Sequence, residues 1–235
     1  MDRIITAKNV CMDFKIGDGS VVHALKGINL DIQPNKLSVL RGRSGSGKTT
    51  LINILGALDR PSSGEVFFLE KENDITKLSD SQRDKLRRVD MAFVFQSVAL
   101  ISTMTAFENV EFALRLTSLP YKERIERAKQ SLVQVGLEKR MHHRPGEMSG
   151  GEQQRVAIAR AISHSPKIIF ADEPTAELDS PTAFAVMKLF KDLVEQNGLT
   201  IVMTTHDTSM MDAADIVYTL EDGVIGEVTV NGTEE

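Results

Sequence analysis

Residues 42–49 read Gly42-Arg43-Ser44-Gly45-Ser46-Gly47-Lys48-Thr49, and the spacing G-x-x-x-x-G-K-[ST] is that of a loop that grips phosphate. Glycines without a Cβ let the backbone curl with its N–H groups inward, by taking up positive φ and approaching a ligand closely. Lys48 then reaches the β- and γ-phosphates, and Thr49 offers a hydroxyl to Mg²⁺. A helix beginning near Gly47 aims its positive end at the same phosphates. The pattern arises by chance in roughly one chain in a hundred of this length. Its flanks agree with it: residues 36–40 have the pattern of a short buried strand, and residues 50–55 carry the apolar spacing of a helix. Strand, loop and helix together predict an α/β fold that binds a nucleoside triphosphate.

A triphosphatase also needs a carboxylate for the metal and a group that orients the attacking water, both at the mouth of a buried strand. Asp172-Glu173 follows the apolar run Ile168-Ile169-Phe170-Ala171. Asp172 is assigned to the Mg²⁺ shell, and Glu173 to polarising the water that attacks the γ-phosphate. A turn with a helix N-cap is the competing reading of two adjacent acids. Gln96 ends another apolar strand, residues 91–95, and its amide oxygen can bind Mg²⁺ or a metal-bound water, although taken alone it reads more readily as a surface glutamine. His206, after the strand 200–204, is placed either to donate to the γ-phosphate or to serve the structure alone.

The rest of the chain frames this pair of strand ends. Residues 4–10, 21–23 and 28–32 alternate like strands, separated by the turn signal Gly17-Asp18-Gly19. Residues 65–69 read as a further strand and residues 79–88 as a charged helix. Helical patterns over 106–116, 122–135 and 152–162 interrupt the strands, so a helical insertion is expected before the sheet resumes at 167–171 and 200–204. Residues 181–196 are the expected crossover helix, and two short strands are expected around Asp222-Gly223. The fold class is thus a P-loop NTPase with a RecA-like mixed sheet, an N-terminal antiparallel β region and an inserted α-helical subdomain. Residues 1–235 form one domain, with 1–96 and 164–235 as core and 97–163 as the helical part.

Composition narrows the setting. The chain has 235 residues, 41% of them hydrophobic, enough for a large core. A net charge of -5 with both signs interspersed argues against nucleic acid as a partner. Cys11 is the single cysteine, which excludes an internal disulfide, and the N-terminus lacks the pattern of a secretory signal, so the cytoplasm is expected. No uncharged apolar run approaches the ~20 residues of a membrane span. If the protein works at a membrane, other polypeptides supply the spans.

One further motif decides the class. Met148-Ser149-Gly150-Gly151-Glu152-Gln153-Gln154-Arg155 places a capping serine and two glycines before a run of helix formers, a second helix N-terminus suited to an anion. The chain then resembles the ATP-binding cassette family over almost its whole length. It shows the P-loop, Gln96, the Ser-Gly-Gly-Glu-Gln signature, Asp172-Glu173, Asp179 and His206 in that family's order. The resemblance implies a head-to-tail dimer with two ATP molecules sandwiched between chains, the signature of one chain addressing the γ-phosphate held by the other. It implies ATP contacts from Phe14, Gly42, Arg43, Ser44, Gly45, Ser46, Gly47, Lys48, Thr49, Thr50 and Gln96, with Phe14 stacked on adenine where the family usually has Tyr. Ser149, Gly150, Gly151, Glu152 and Gln153 would meet the partner's ATP. Asp179 would carry communication between sites, and Thr49, Gln96 and Asp172 would hold the metal. Glu173, His206 and Lys48 would be catalytic, with ATP and Mg²⁺ as substrate and cofactor. Met148 for the usual Leu, Thr49 for Ser and Arg43 for Pro remove no functional group.

The segments 24–30, 55–61 and 93–97 are similar to the branch containing macrolide exporters, lipoprotein-release ATPases, antimicrobial-peptide resistance ATPases and the cell-division ATPase. That likeness implies a bacterial motor subunit, peripheral on the cytoplasmic face of the inner membrane, driving a separate permease docked near residues 97–104. Leu100, Ile101 and Met104 are the candidate apolar contacts, with buried packing inside the helical subdomain as the equal alternative. The alternative is the same motor in a signalling or cell-division complex that controls cell-wall hydrolases. A soluble cassette of translation or DNA repair normally carries two cassettes or a long coiled coil, and neither is present.

Overall fold

The computed structural model describes residues 3–17, 19–69 and 73–231, without the side chains of residues 208–210. Asp18, centre of the expected turn after the first strand, lies outside the described residues. Strands β1 (Ile5–Lys15) and β2 (Val21–Ile32) pair antiparallel as one long hairpin, so the two short strands expected at 21–23 and 28–32 are a single one. Register shifts along β1 let this hairpin twist without breaking. β3 (Leu37–Arg41) leads into the P-loop and α1 (Lys48–Leu55). β4 (Ser63–Phe68) then returns to pair with β1, giving a three-stranded sheet of order β2-β1-β4.

After α2 (Asp80–Val89), which opens on the Ser79/Gln82 capping box, the chain enters β5 (Met91–Val94). Three helices follow, α3 (Ala106–Leu114), α4 (Tyr121–Gln134) and α5 (Gly150–Ile162). They fall between β5 and β6 (Ile168–Ala171), where the helical insertion is expected from sequence. Then come α6 (Ser180–Asn197), β7 (Thr200–Thr205), β8 (Ile216–Glu221) and β9 (Val224–Val230). The second sheet has the order β5-β6-β7-β3-β8-β9, parallel except for the last strand. Among the described residues no helix is long and apolar enough to cross a membrane.

The parallel strands are apolar on both faces because both faces are covered. Alternate residues divide between two cores by the period of two. Val39, Ile169, Ala171, Ile201 and Met203 join α5 and α6, while Leu40, Ile168, Phe170 and Val202 join α1 and the three-stranded sheet. The C-terminal ends of β3, β5, β6 and β7 open along one edge, the position at which open α/β sheets bind ligands.

A polar staple fixes the opposite end of β3. Asp215, on the turn before β8, accepts from Leu37 N–H at 2.8 Å and from Lys191 Nζ on α6 at 2.7 Å. Burial opposes its ionisation, but the Lys191 and Leu37 hydrogen bonds and the charges of Lys191 and Lys36 prevail and hold the carboxyl below its ordinary 3.8. A depressed carboxylate stabilises the fold fully above its unfolded value and loses that contribution as pH falls toward the folded one. Asp215→Asn is therefore expected to lower stability by about 1–3 kcal/mol at neutral pH. The difference from wild type should shrink in denaturation series run progressively below pH 4.

Candidate active site

The P-loop takes its shape from three glycines used in two ways. Gly45 and Gly47 have positive φ, 80° and 103°, and a Cβ on Gly47 would stand 2.6 Å from the Ala24 carbonyl oxygen. Gly42 does not take positive φ, contrary to the expectation from sequence. Its bare Cα instead admits the Leu220 carbonyl, which a Cβ would overlap. Gly223 N–H donates to Ser46 O at 3.1 Å and closes the loop against the β8–β9 turn. A cleft of roughly 720 Å³ lies over the loop, lined by Gly42, Arg43, Ser44, Gly45, Ser46 and His206 together with the β8 end.

Lys48, only 4% exposed, folds back to donate to Gly42 O at 2.8 Å and Arg43 O at 3.0 Å, and its Nζ lies 3.8 Å from Glu173 Oε1. Ser46 Oγ is buried in the loop without a hydrogen-bond partner. Thr49 Oγ1 donates to Asp172 Oδ1 at 3.1 Å, bringing a hydroxyl and a carboxylate together across 123 residues of chain. Thr50 is half-buried on α1 beside them.

Asp172 and Glu173 leave the end of β6, and a residue not singled out in the sequence locks both. Thr204, fully buried on β7, donates through Oγ1 to Asp172 Oδ1 at 2.6 Å and accepts from Glu173 N–H at 2.8 Å. A hydroxyl next to the end of a central strand, one strand away from an acid pair, is the signal that was available. Glu173 has φ 43°, a left-handed backbone that a non-glycine residue holds only when its surroundings impose it. Its Oε2 lies 3.1 Å from His206 Nδ1. An ionised carboxylate only accepts, so Nδ1 donates to it, and Nε2 of the 61%-exposed ring is also a donor when the ring is protonated.

The remaining assignments are more scattered. Phe14 is 43% exposed on β1 opposite Val22, outside the residues that line the cleft. Gln96 is exposed just past β5. The segment after it is anchored by Arg160 of α5, whose guanidinium donates to Ala99 O at 2.7 Å and Val98 O at 3.1 Å. Burial pushes the Arg160 pKa down, and Ala99 takes a positive φ of 46°. Of the three candidate contacts, Leu100 packs against the core, the alternative left open by the sequence, whereas Ile101 is exposed and Met104 half-buried.

The signature lies apart from this cluster: among the described residues no hydrogen bond or ion pair joins 149–153 to 42–50. Ser149 caps α5, accepting from Glu152 N–H at 3.2 Å, while Glu152 Oε2 accepts from Ser149 N–H at 2.8 Å. Gln153 Nε2 donates to Pro145 O and Met148 O, tying the entry of the helix down. Ser149 and Gly150 are exposed and Gly151 is buried, and the N–H groups at the start of the helix have no intrahelical partner. Gly151 allows the Thr182 methyl to approach, which puts the N-terminus of α6 beside that of α5. Asp179 caps α6 through Thr182 N–H at 3.0 Å, and this bond holds its carboxyl below the ordinary value.

Comparison with known proteins agrees with this geometry. The sequence profile of the ABC transporter family matches residues 25–176. The lipoprotein-releasing system ATP-binding protein LolD of Hahella chejuensis is 42% identical, covering 89% of this chain and 90% of that protein. The macrolide export ATP-binding/permease protein MacB of Vibrio parahaemolyticus is 40% identical over 98% of this chain, which spans 35% of MacB. The cassette MJ0796 of Methanocaldococcus jannaschii, solved as a post-hydrolysis dimer bound to ADP and Pi, superposes with a TM-score of 0.86 at 39% identity, covering 97% of this chain and 98% of that one. With a family match over most of the chain and relatives above 40% identity along nearly its full length, this chain belongs to the ABC transporter family, as one of its ATPase cassettes.

Proposed function

We propose that the chain is the ATP-hydrolysing motor subunit of a membrane transporter, working as a head-to-tail dimer around two ATP molecules. It would drive a separate permease in export, lipoprotein release or antimicrobial-peptide resistance, from the cytoplasmic face of a bacterial inner membrane. The observation that carries this reading is the helix N-terminus exposed at Ser149 and Gly150, to which, among the described residues, the chain's own P-loop makes no bond. A two-fold pairing supplies each loop with the missing half, since each chain has one of each. The dimeric ADP and Pi complex of MJ0796 and the names of LolD and MacB support the same reading.

The residues present fit Mg²⁺. Among the described residues no group of three or more His, Cys, Asp or Glu side chains could hold a metal, and the site offers one carboxylate, Asp172, beside the Thr49 hydroxyl. That sparse oxygen set suits a cation that keeps waters and phosphate oxygens as its other ligands. Bound there, Mg²⁺ would neutralise charge on the phosphates. Lys48 exchanges its two loop carbonyls for phosphate oxygens, and the unpartnered Ser46 hydroxyl gains an acceptor. Glu173 accepts a hydrogen bond from the attacking water, with Lys48 and His206 fixing its carboxylate on either side. Phe14 and Gln96 complete the proposed ATP contacts, and Asp179 beside the signature links the two sites.

Purification from native membranes tests the coupling. Recovery with a polytopic membrane protein that changes the ATPase rate is expected. Recovery with ribosomes or DNA instead would sink the proposal.

A further inference from the structure

Glu152 sets an electrostatic problem at the signature. The entry of α5 is exposed at Ser149 and Gly150, and its first turn has unmet N–H donors, which attract an anion. Glu152, the third residue of that same turn, puts a carboxylate beside the position the partner's triphosphate would take. Its hydrogen bonds with Ser149 keep that carboxylate ionised, holding its pKa below the usual range. A triphosphate approaching this turn meets helical donors and a fixed negative charge together.

Arg140, on the short 3-10 turn Glu138–Arg140, answers that charge. Its Nε lies 3.0 Å from Glu152 Oε1, while Glu152 Oε2 accepts from Ser149 N–H. One carboxylate therefore joins the Arg140 guanidinium to the cap residue of the signature. Arg140 Nη1 lies 3.1 Å from His143 Nε2, and because a guanidinium only donates, the imidazole accepts at Nε2 and braces the arginine. The segment is not a loose tether: His143 O accepts from Ala106 N–H and Met141 O from Phe107 N–H, binding it to the start of α3. Ser149 Oγ accepts from Glu152 N–H, which fixes the cap from the helix side as Glu152 Oε2 fixes it from the chain side.

We propose that Arg140 is a positioning residue that neutralises Glu152 and fixes the signature cap, so that Ser149, Gly150 and Gly151 can receive the triphosphate held by a second copy of this chain. This rests on the head-to-tail reading above. Arg140 touches no nucleotide in this scheme and acts only through Glu152. Because the pair is partly exposed, with side-chain exposures of 46% and 17%, its effect is moderate.

A double-mutant cycle in the full chain tests it. Arg140→Ala should lower kcat for ATP hydrolysis about fivefold, with Arg140→Lys retaining most of the rate. The affinity of the single chain for ATP, measured with a fluorescent analogue, should be unchanged, because the P-loop is untouched. Glu152→Gln keeps the capping box without the charge, so adding Arg140→Ala to it should change kcat less than twofold from Glu152→Gln alone. An equal loss in both backgrounds, or a parallel fall in single-chain affinity and melting temperature, would overturn the assignment. Gly150→Asp separates the two layers of argument. If that variant is inactive while Arg140→Ala is fully active, the Arg140 inference falls alone; if Gly150→Asp hydrolyses ATP at the wild-type rate, the head-to-tail reading falls and takes the inference with it.

Discussion

Replacing Glu173 by Gln is expected to slow ATP turnover by roughly 10²–10⁴, about 3–5 kcal/mol of barrier, while ATP binding persists and the nucleotide-bound dimer accumulates. The structure explains why the change should be confined to chemistry. Glu173 owes its place to its backbone: its N–H is held by Thr204 Oγ1 at 2.8 Å and its φ of 43° is set by that turn, not by the carboxylate. Gln has the same shape and keeps one acceptor oxygen, which can face Lys48 or His206 but not both, since its other terminus is an NH₂ donor. What disappears is the negative charge that polarises water, so a rate effect without a binding effect is the signature of a lost base. Steady-state hydrolysis and size-exclusion chromatography with ATP give the two readings, and hydrolysis at the wild-type rate in this variant would refute the role.

Most of this site was legible in the sequence because its parts are local motifs. Gly42 to Thr49 fixes a backbone path by residue type, and Ser149 to Glu152 writes a capping box in four letters. The buried strands announced themselves as unbroken apolar runs, with Asp172 and Gln96 at their ends. The sequence was silent on what depends on pairing between distant strands. Thr204 binds Asp172 because β7 lies beside β6, a neighbourhood set by sheet order. Gly42 needed its missing Cβ for a carbonyl of β8, 178 residues further along the chain, and not for its own φ. The inward and outward readings of Leu100 stood even in the sequence, and what packs it inward is a loop anchored by Arg160 from α5, a contact spanning 61 residues. The long hairpin of β1 and β2 hid behind polar exposed residues such as His23 and Lys26, which broke the alternation without breaking the strand.

Mixing two inactive chains should restore activity. Lys48→Ala removes the buried cation of the P-loop and Gly150→Asp puts a carboxylate on the anion-facing turn of α5. Each alone is expected to lose 10²-fold or more, the usual scale for a transition-state charge contact. Gly150→Asp is a clean probe because its Cβ would meet only Leu178 Cδ2 at 3.5 Å, an ordinary contact, whereas any side chain at Gly151 would collide with Thr182. Loss of rate at position 150 therefore reports charge at the turn and not collapse of the packing between α5 and α6. In a head-to-tail heterodimer both lesions fall on one composite site, leaving the other with an intact loop from the Gly150→Asp chain and an intact signature from the Lys48→Ala chain. Random pairing of equal amounts makes half the dimers mixed, so activity should return to at most about a quarter of wild type if the two sites turn over independently. A side-by-side dimer, or a site complete within one chain, predicts no recovery, because each chain would then carry its own lesion in its own site. A mixture no more active than its separate components would exclude the shared site, and with it the assignment of Ser149, Gly150 and Gly151 to the partner's ATP.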